Sequence, residues 1–204
     1  MIHNGEELEL KDRLNLIETM IAEGRRSTES WGWIFVLWGV AYYVAIAWSV
    51  WGNHAVLAWN VTMGAAMILT FGIVAWRIGR GRQRSQPATT VGRAITAVWI
   101  AVGVSFVVLL PALGMGGRST SNVVVAVIGT LLGTANAASS MILKWKLQFA
   151  CALIWWALAV ISCLGTQKQS FIALLVANFF CQIVFGIWGM MAEARKRRQA
   201  ASHA

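Results

Sequence analysis

AITAVWIAVGVSFVVLLPALGMG, residues 94–116, runs for 23 positions without a charged side chain. Wound as an α-helix it would rise about 1.5 Å per residue, about 34 Å in all, which exceeds the ~30 Å hydrocarbon core of a bilayer. A strand buried on both faces needs only about 4–8 residues, so the length argues for helix. Arg93 stands just before the run and Arg118 just after it, beyond the glycines at 114, 116 and 117. Charge at both borders and none between marks a segment whose ends meet water and whose middle meets lipid.

The same pattern extends in both directions. Apolar runs at 31–51, 55–76, 122–143, 147–164 and 170–191 join the one at 94–116, and the links between them are short except for 77–93. The reading is an all-α polytopic membrane protein: an amphipathic helix and lead-in over 1–30, a bundle of six transmembrane helices over 31–191, and a basic tail over 192–204. Composition agrees with it. The 204-residue chain is 58% hydrophobic and 12% charged, whereas a soluble domain carries about 45–50% and about 25%. All eight carboxylates lie at or before Glu29 or at Glu193, leaving 163 consecutive positions without one. So few charges cannot clothe that much apolar surface in water. No cleavable leader is expected, because the first apolar run begins at residue 31, behind an acidic segment, and is long enough to remain as a span.

Basic residues set the expected orientation. The N-terminal segment, loop 77–93, the link at 144–146 and the tail together hold 15 of the 17 lysines and arginines, and only Arg118 and Lys168 fall on the other side. The positive-inside rule places both termini in the cytoplasm, in a plasma or inner membrane. The net charge of +9 is accounted for by these flanks, so no nucleic acid is expected as a partner; RIGRGRQR at 77–84 reads as a topology signal facing anionic lipid. Trp31, Trp33, Trp76 and Trp145 are expected as headgroup anchors on the inner side and Trp48, Trp51 and Trp59 on the outer side. Trp155 and Trp156 fall too deep for such a belt.

Residues 5–26 read as a separate helix. Leu10, Leu14, Ile17 and Ile21 recur at helical spacing and form one apolar stripe. A helix this short is marginal alone, so the stripe calls for something to cover it. Segment 1–30 carries seven acids against four bases. That balance disfavours an anionic headgroup layer and suits the basic cytoplasmic surfaces of the chain itself, of a second copy or of another protein.

Within the spans the sequence places no Asp, Glu, Lys, Arg or His at mid-membrane; the three histidines are His3, His54 and His203. Ion-coupled transporters, intramembrane metalloproteases and haem carriers each need such groups, and no enzyme activity or cofactor is expected. Cys151, Cys163 and Cys181 lack ligand spacing and read as small buried residues. Neutral polar groups remain: Asn178 and Gln182, four apart in the sixth run, Asn136 with Thr130, Thr134, Ser139 and Ser140 in the fourth, and Asn60 and Thr62 in the second. Amides and hydroxyls in hydrocarbon should face other helices or water, and Asn178, Gln182 and Asn136 are candidates for an intramembrane polar site. Gly129, Gly133 and Ala137 repeat at every fourth position and predict close helix packing. Pro111 predicts a kink or an early end to its helix.

In helix number and size the layout is similar to the small substrate-capturing membrane subunits of vitamin importers. A second reading, taken from the two amides, is a transporter or channel subunit for a small neutral or apolar solute with its site around Asn178 and Gln182. The residues themselves favour a non-enzymatic regulatory, sensory or assembly component that contacts a protein partner or a second copy through its N-terminal helix. The lipid bilayer is the partner common to both readings.

Overall fold

The computed structural model describes residues 9–22, 31–52, 55–79, 90–117 and 120–202. All regular structure among them is helical: α1 (residues 9–22), α2 (Gly32–Trp51), α3 (Ala55–Gly79), α4 (Thr90–Met115), α5 (Ser121–Leu143), α6 (Lys146–Leu164), α7 (Gln167–Asn178), a π-helical segment (Phe179–Val184) and α8 (Phe185–Ser202). Six helices are long and apolar enough to cross a membrane; α7, the π segment and the first part of α8 form the last of them, Gln167–Arg195. The chain is an all-α, multi-pass membrane protein with a short N-terminal helix outside its bundle. Residues 80–89, with most of the basic loop, and all three histidines lie outside the described residues.

Local chemistry sets the helix ends. Lys144 closes α5 in the left-handed region at φ 49°; the Trp145 N–H then donates to Ser140 O at 2.9 Å. This αL closure turns the chain within two residues and starts α6. At the other end Thr166 caps α7, and Thr166 and Gln169 form a reciprocal capping box. Pro111 does not end its helix: α4 runs through it to Met115, and the chain turns at Gly117, where φ is +65°. Glycine adopts that angle with no Cβ to oppose it.

The bundle is built on two seams. α5 packs along α6, and α2 packs along the last span, while α7 adjoins α6 and completes the centre. Each seam is a close approach of backbones. A Cβ on Gly129 would stand 2.7 Å from Trp155 O, and one on Gly133 would stand 2.4 Å from the Trp156 ring. In the second seam a Cβ on Gly32 would stand 2.6 Å from Gly186 O, and one on Gly39 would stand 2.8 Å from Gln182 Cβ. Small residues serve here because apolar side chains gain nothing by leaving lipid for protein, so contact must come from tight packing. α3 rests on α2 and α4 on α5, with Phe35 and Trp99 bringing α4 to α2 edge-on at 5.5 Å. Val56, Ile68 and Phe71 on α3 and Ile100, Val107 and Val108 on α4 stay exposed, as lipid-facing surface should.

The two ends of the bundle are distinct. At one end Trp145, in the α5–α6 turn, packs on Phe185 and Trp188 at 5.2 and 5.5 Å between ring centroids, beside the start of α2. At the other, Asn122 at the start of α5 donates to Gly165 O at 3.3 Å. Trp145 is therefore buried core, where a headgroup anchor was expected; the tight turn folds its ring inward. Trp59 is half-buried against Tyr42, whereas Trp51 at 84% and Trp76 at 50% are exposed at helix ends. Trp155 is buried in the core and Trp156 covers Gly133.

Candidate functional site

The last span places Asn178 and Gln182 against α2. Asn178 is fully buried and its Nδ2 donates to Gly39 O at 3.0 Å. One turn further along α2, the Tyr43 hydroxyl donates to Leu175 O at 2.8 Å. Gly39 lets this happen: any side chain there would collide with Gln182 and Ile183. The π segment begins directly after Asn178, and its wider turn is a local departure from α geometry of the kind often found at functional positions. Within it the Cys181 thiol donates to Cys151 O at 3.6 Å, tying the last span to α6. Cys151 and Cys181 are buried as expected; Cys163 is exposed.

Asn136 belongs to the other seam. It is buried, its Nδ2 donates within α5 to Leu132 O at 2.8 Å, and no hydrogen bond joins it to Asn178 or Gln182. The hydroxyls of Thr130 and Thr134 are exposed and donate to their own helix, at Ala126 O and Thr130 O. A helix can thus satisfy a threonine alone, and neighbouring helices are not required. Asn60 is exposed near the start of α3.

The residue that sequence reading missed is Gln148. It lies in the first turn of α6, is 0% exposed, and neither Oε1 nor Nε2 has a partner among the described residues. The hairpin register fixes its height. With Gly129 against Ala159 and Gly133 against Trp156, Asn136 comes opposite Ala152, and Ser139 and Ser140 come opposite Gln148. Cys151, one turn from Gln148, meets Cys181. Asn136, Ser139, Gln148, Asn178 and Gln182 therefore occupy one layer about two to three turns thick, at about 5 Å per turn. It lies nearer the end with Lys144 and Lys146 than the end with Gly165. Asn136 Oδ1, Ser139 Oγ, Asn178 Oδ1 and Gln182 Oε1 also lack partners among the described residues.

Two cavities, of about 490 and 500 Å³, open at the opposite end. One is lined by Ser121, Gln167, Lys168 and Ser170, the other by Leu109, Asn122, Thr130, Ser162 and Cys163. Neither reaches the layer. Among the described residues no group of three His, Cys, Asp or Glu side chains could hold a metal.

The stripe on α1 lies apart from all this. Leu10, Leu14 and Ile17 are 61%, 54% and 51% exposed, with Ile21 partly covered. The Arg13 guanidinium donates to Glu9 within the helix. Fold and layer together define a multi-pass α-helical membrane protein with an uncharged polar interior. The chain matches no protein-family model, no characterised protein and no solved structure, so the likeness to importer subunits stays one of helix number.

Proposed function

We propose that the protein is a non-enzymatic membrane component of regulatory, sensory or assembly type, with both termini in the cytoplasm, that contacts a protein partner through α1. The observation that carries this reading is the exposed stripe: three large aliphatic side chains at least half exposed on a helix that the bundle does not cover. A helix of 14 residues gains too little from its own hydrogen bonds to persist in water, so its stripe is stabilised by burial against something else. The partner that the chain itself supports is a second copy. Segment 1–30 is net acidic, and the same side carries basic residues at 77–93, 144–146 and 195–198. Opposite charge would guide the approach and Leu10, Leu14 and Ile17 would hold the contact. The cytoplasmic placement rests on the bias of those basic residues. It fits the meeting of the α2 start, the α5–α6 turn and α8 at one end of the bundle.

A solute pathway past Asn178 and Gln182 has less in its favour. The Asn178 amide is tied to Gly39 O, Gln182 fills the space over Gly39, and neither cavity touches them.

The test compares the full-length protein with a Leu14→Glu/Ile17→Glu variant, by light scattering in mild detergent and by crosslinking in native membranes. A wild type larger than one copy, and a monomeric variant with an unchanged unfolding midpoint, support the reading. Equal mass for both proteins, or a monomeric wild type that retains some other protein, rules out the second copy.

A further inference from the structure

Among the described residues Gln148 is the buried amide with neither end of its side chain paired. Its amide offers two N–H donors and an acceptor oxygen, it is completely buried, and no group among the described residues reaches either end of it. Burying an amide without hydrogen bonds is strongly unfavourable, whereas a leucine or methionine of similar size would fill the place at no such cost. At the same height on the facing helix stands Ser139, also 0% exposed, whose hydroxyl is equally without a partner. One turn deeper, Asn136 spends its N–H on Leu132 O and leaves Oδ1 free. Three polar groups on two tightly packed helices thus lack partners within about one helical turn, ~5 Å along the bundle.

We propose that Gln148, Ser139 and Asn136 form a binding site, between α5 and α6, for a small uncharged molecule that both donates and accepts hydrogen bonds. The donor and acceptor balance defines the class. The Gln148 oxygen and the Asn136 oxygen call for a donor, the Gln148 N–H groups call for an acceptor, and the Ser139 hydroxyl serves either. A bare anion would meet oxygens, and a cation would meet the Gln148 N–H groups. No carboxylate occurs between Glu29 and Glu193 to compensate a cation, an anion would be turned away by the acceptor oxygens, and Lys144 and Lys146 are exposed at the helix ends, so an ion here would be buried unpaired at prohibitive cost. Size follows from packing: at Gly129 and Gly133 the two helices leave no room even for a Cβ, so the occupant between them is water or a solute as small as a primary amide. Buried waters commonly take this role, making about three hydrogen bonds to groups the protein leaves open.

The experiment uses the full chain in lipid nanodiscs, wild type and Gln148→Leu, with acetamide as the probe solute. Hydroxyl-radical footprinting labels side chains beside bound water even where bulk solvent is excluded. Cys151, one turn from Gln148 and 4% exposed, is the reporter. The expected result is clear labelling of Cys151 in the wild type, a severalfold loss in Gln148→Leu, and an unfolding midpoint for that variant at or below the wild type's. A saturable rise of the wild-type midpoint with acetamide, absent in the variant, would assign the site to a solute; no such rise would assign it to water. A variant more stable than the wild type would mean that Gln148 is an unrelieved burden, and unlabelled Cys151 together with no acetamide effect would mean that nothing is bound. Either result overturns the proposal, and neither bears on α1.

Discussion

Replacing Gly129 with alanine adds one methyl group where α5 meets α6. That carbon would stand 2.7 Å from Trp155 O, 3.0 Å from Ala159 N and 3.2 Å from Ala159 Cβ. Two of the three are backbone atoms and cannot rotate away, so the helices must separate by about 0.7 Å to restore ordinary contact, a gap that forfeits roughly a quarter to a half of each dispersion well along the seam. Overpacking of this kind costs about 1–3 kcal/mol. Alanine is the better helix former by about 1 kcal/mol, which offsets part of the loss. Gly72→Ala supplies the control, because nothing lies within 4 Å of a Cβ at Gly72. Both changes carry the same propensity gain, so the difference between them isolates the steric cost, about 1–3 kcal/mol in favour of Gly72→Ala. Equilibrium unfolding in mixed micelles of rising sodium dodecyl sulfate fraction, followed by tryptophan fluorescence and far-ultraviolet circular dichroism, measures both variants against the wild type. If Gly129→Ala is as stable as Gly72→Ala, α5 and α6 do not meet along this seam and the packing argument is wrong.

Asn178→Leu removes the donor to Gly39 O and is expected to lower stability by about 0.6–2 kcal/mol in the same titration, the range for interhelical hydrogen bonds in membranes. A larger loss would show that the buried amide does more than clamp α2. Trp145→Ala empties a site walled by Phe185 and Trp188 and is expected to cost about 3 kcal/mol, while Trp51→Ala, at a position 84% exposed, is expected to change the midpoint little. Equal effects would return Trp145 to the headgroup belt. Tags at residues 1 and 204 are both expected to be protected from external labelling in intact cells, and an exposed tag at either end would overturn the cytoplasmic assignment.

The fold class was legible because lipid leaves a coarse signature. A span needs about 20 apolar residues in a row, and six such runs in a chain of 204 residues leave little choice of architecture. The faces of those helices were harder to read. In a soluble protein the buried stripe is apolar and the outer one polar, so periodicity shows which is which. Here lipid and protein are equally apolar, and Ile68 and Val107 on the outside look no different from Ile128 and Leu158 on the inside. What does separate the faces is residue size and polarity. Gly129, Gly133 and Ala137 could be picked out from spacing alone, whereas Gly32, Gly39 and Gly186 could not, because their partners are far apart in the chain.

The polar interior shows the same limit at higher resolution. Asn178 and Gln182 stand out in the sequence as amides inside an apolar run, and both are buried. Gln148 is chemically no different, but it follows Lys146 by two residues, and beside a charge an amide reads as an interfacial residue already satisfied by water. Its stripe held the missing signal: Trp145, Gln148, Ala152, Trp155 and Ala159 recur at helical spacing, and all five are buried. An amide that shares the face of two buried tryptophans is directed into the protein even at the edge of a span. In a lipid-solvated chain such a residue tells more than any apolar one, because hydrocarbon tolerates leucine on every face and tolerates an amide only where something will bond to it.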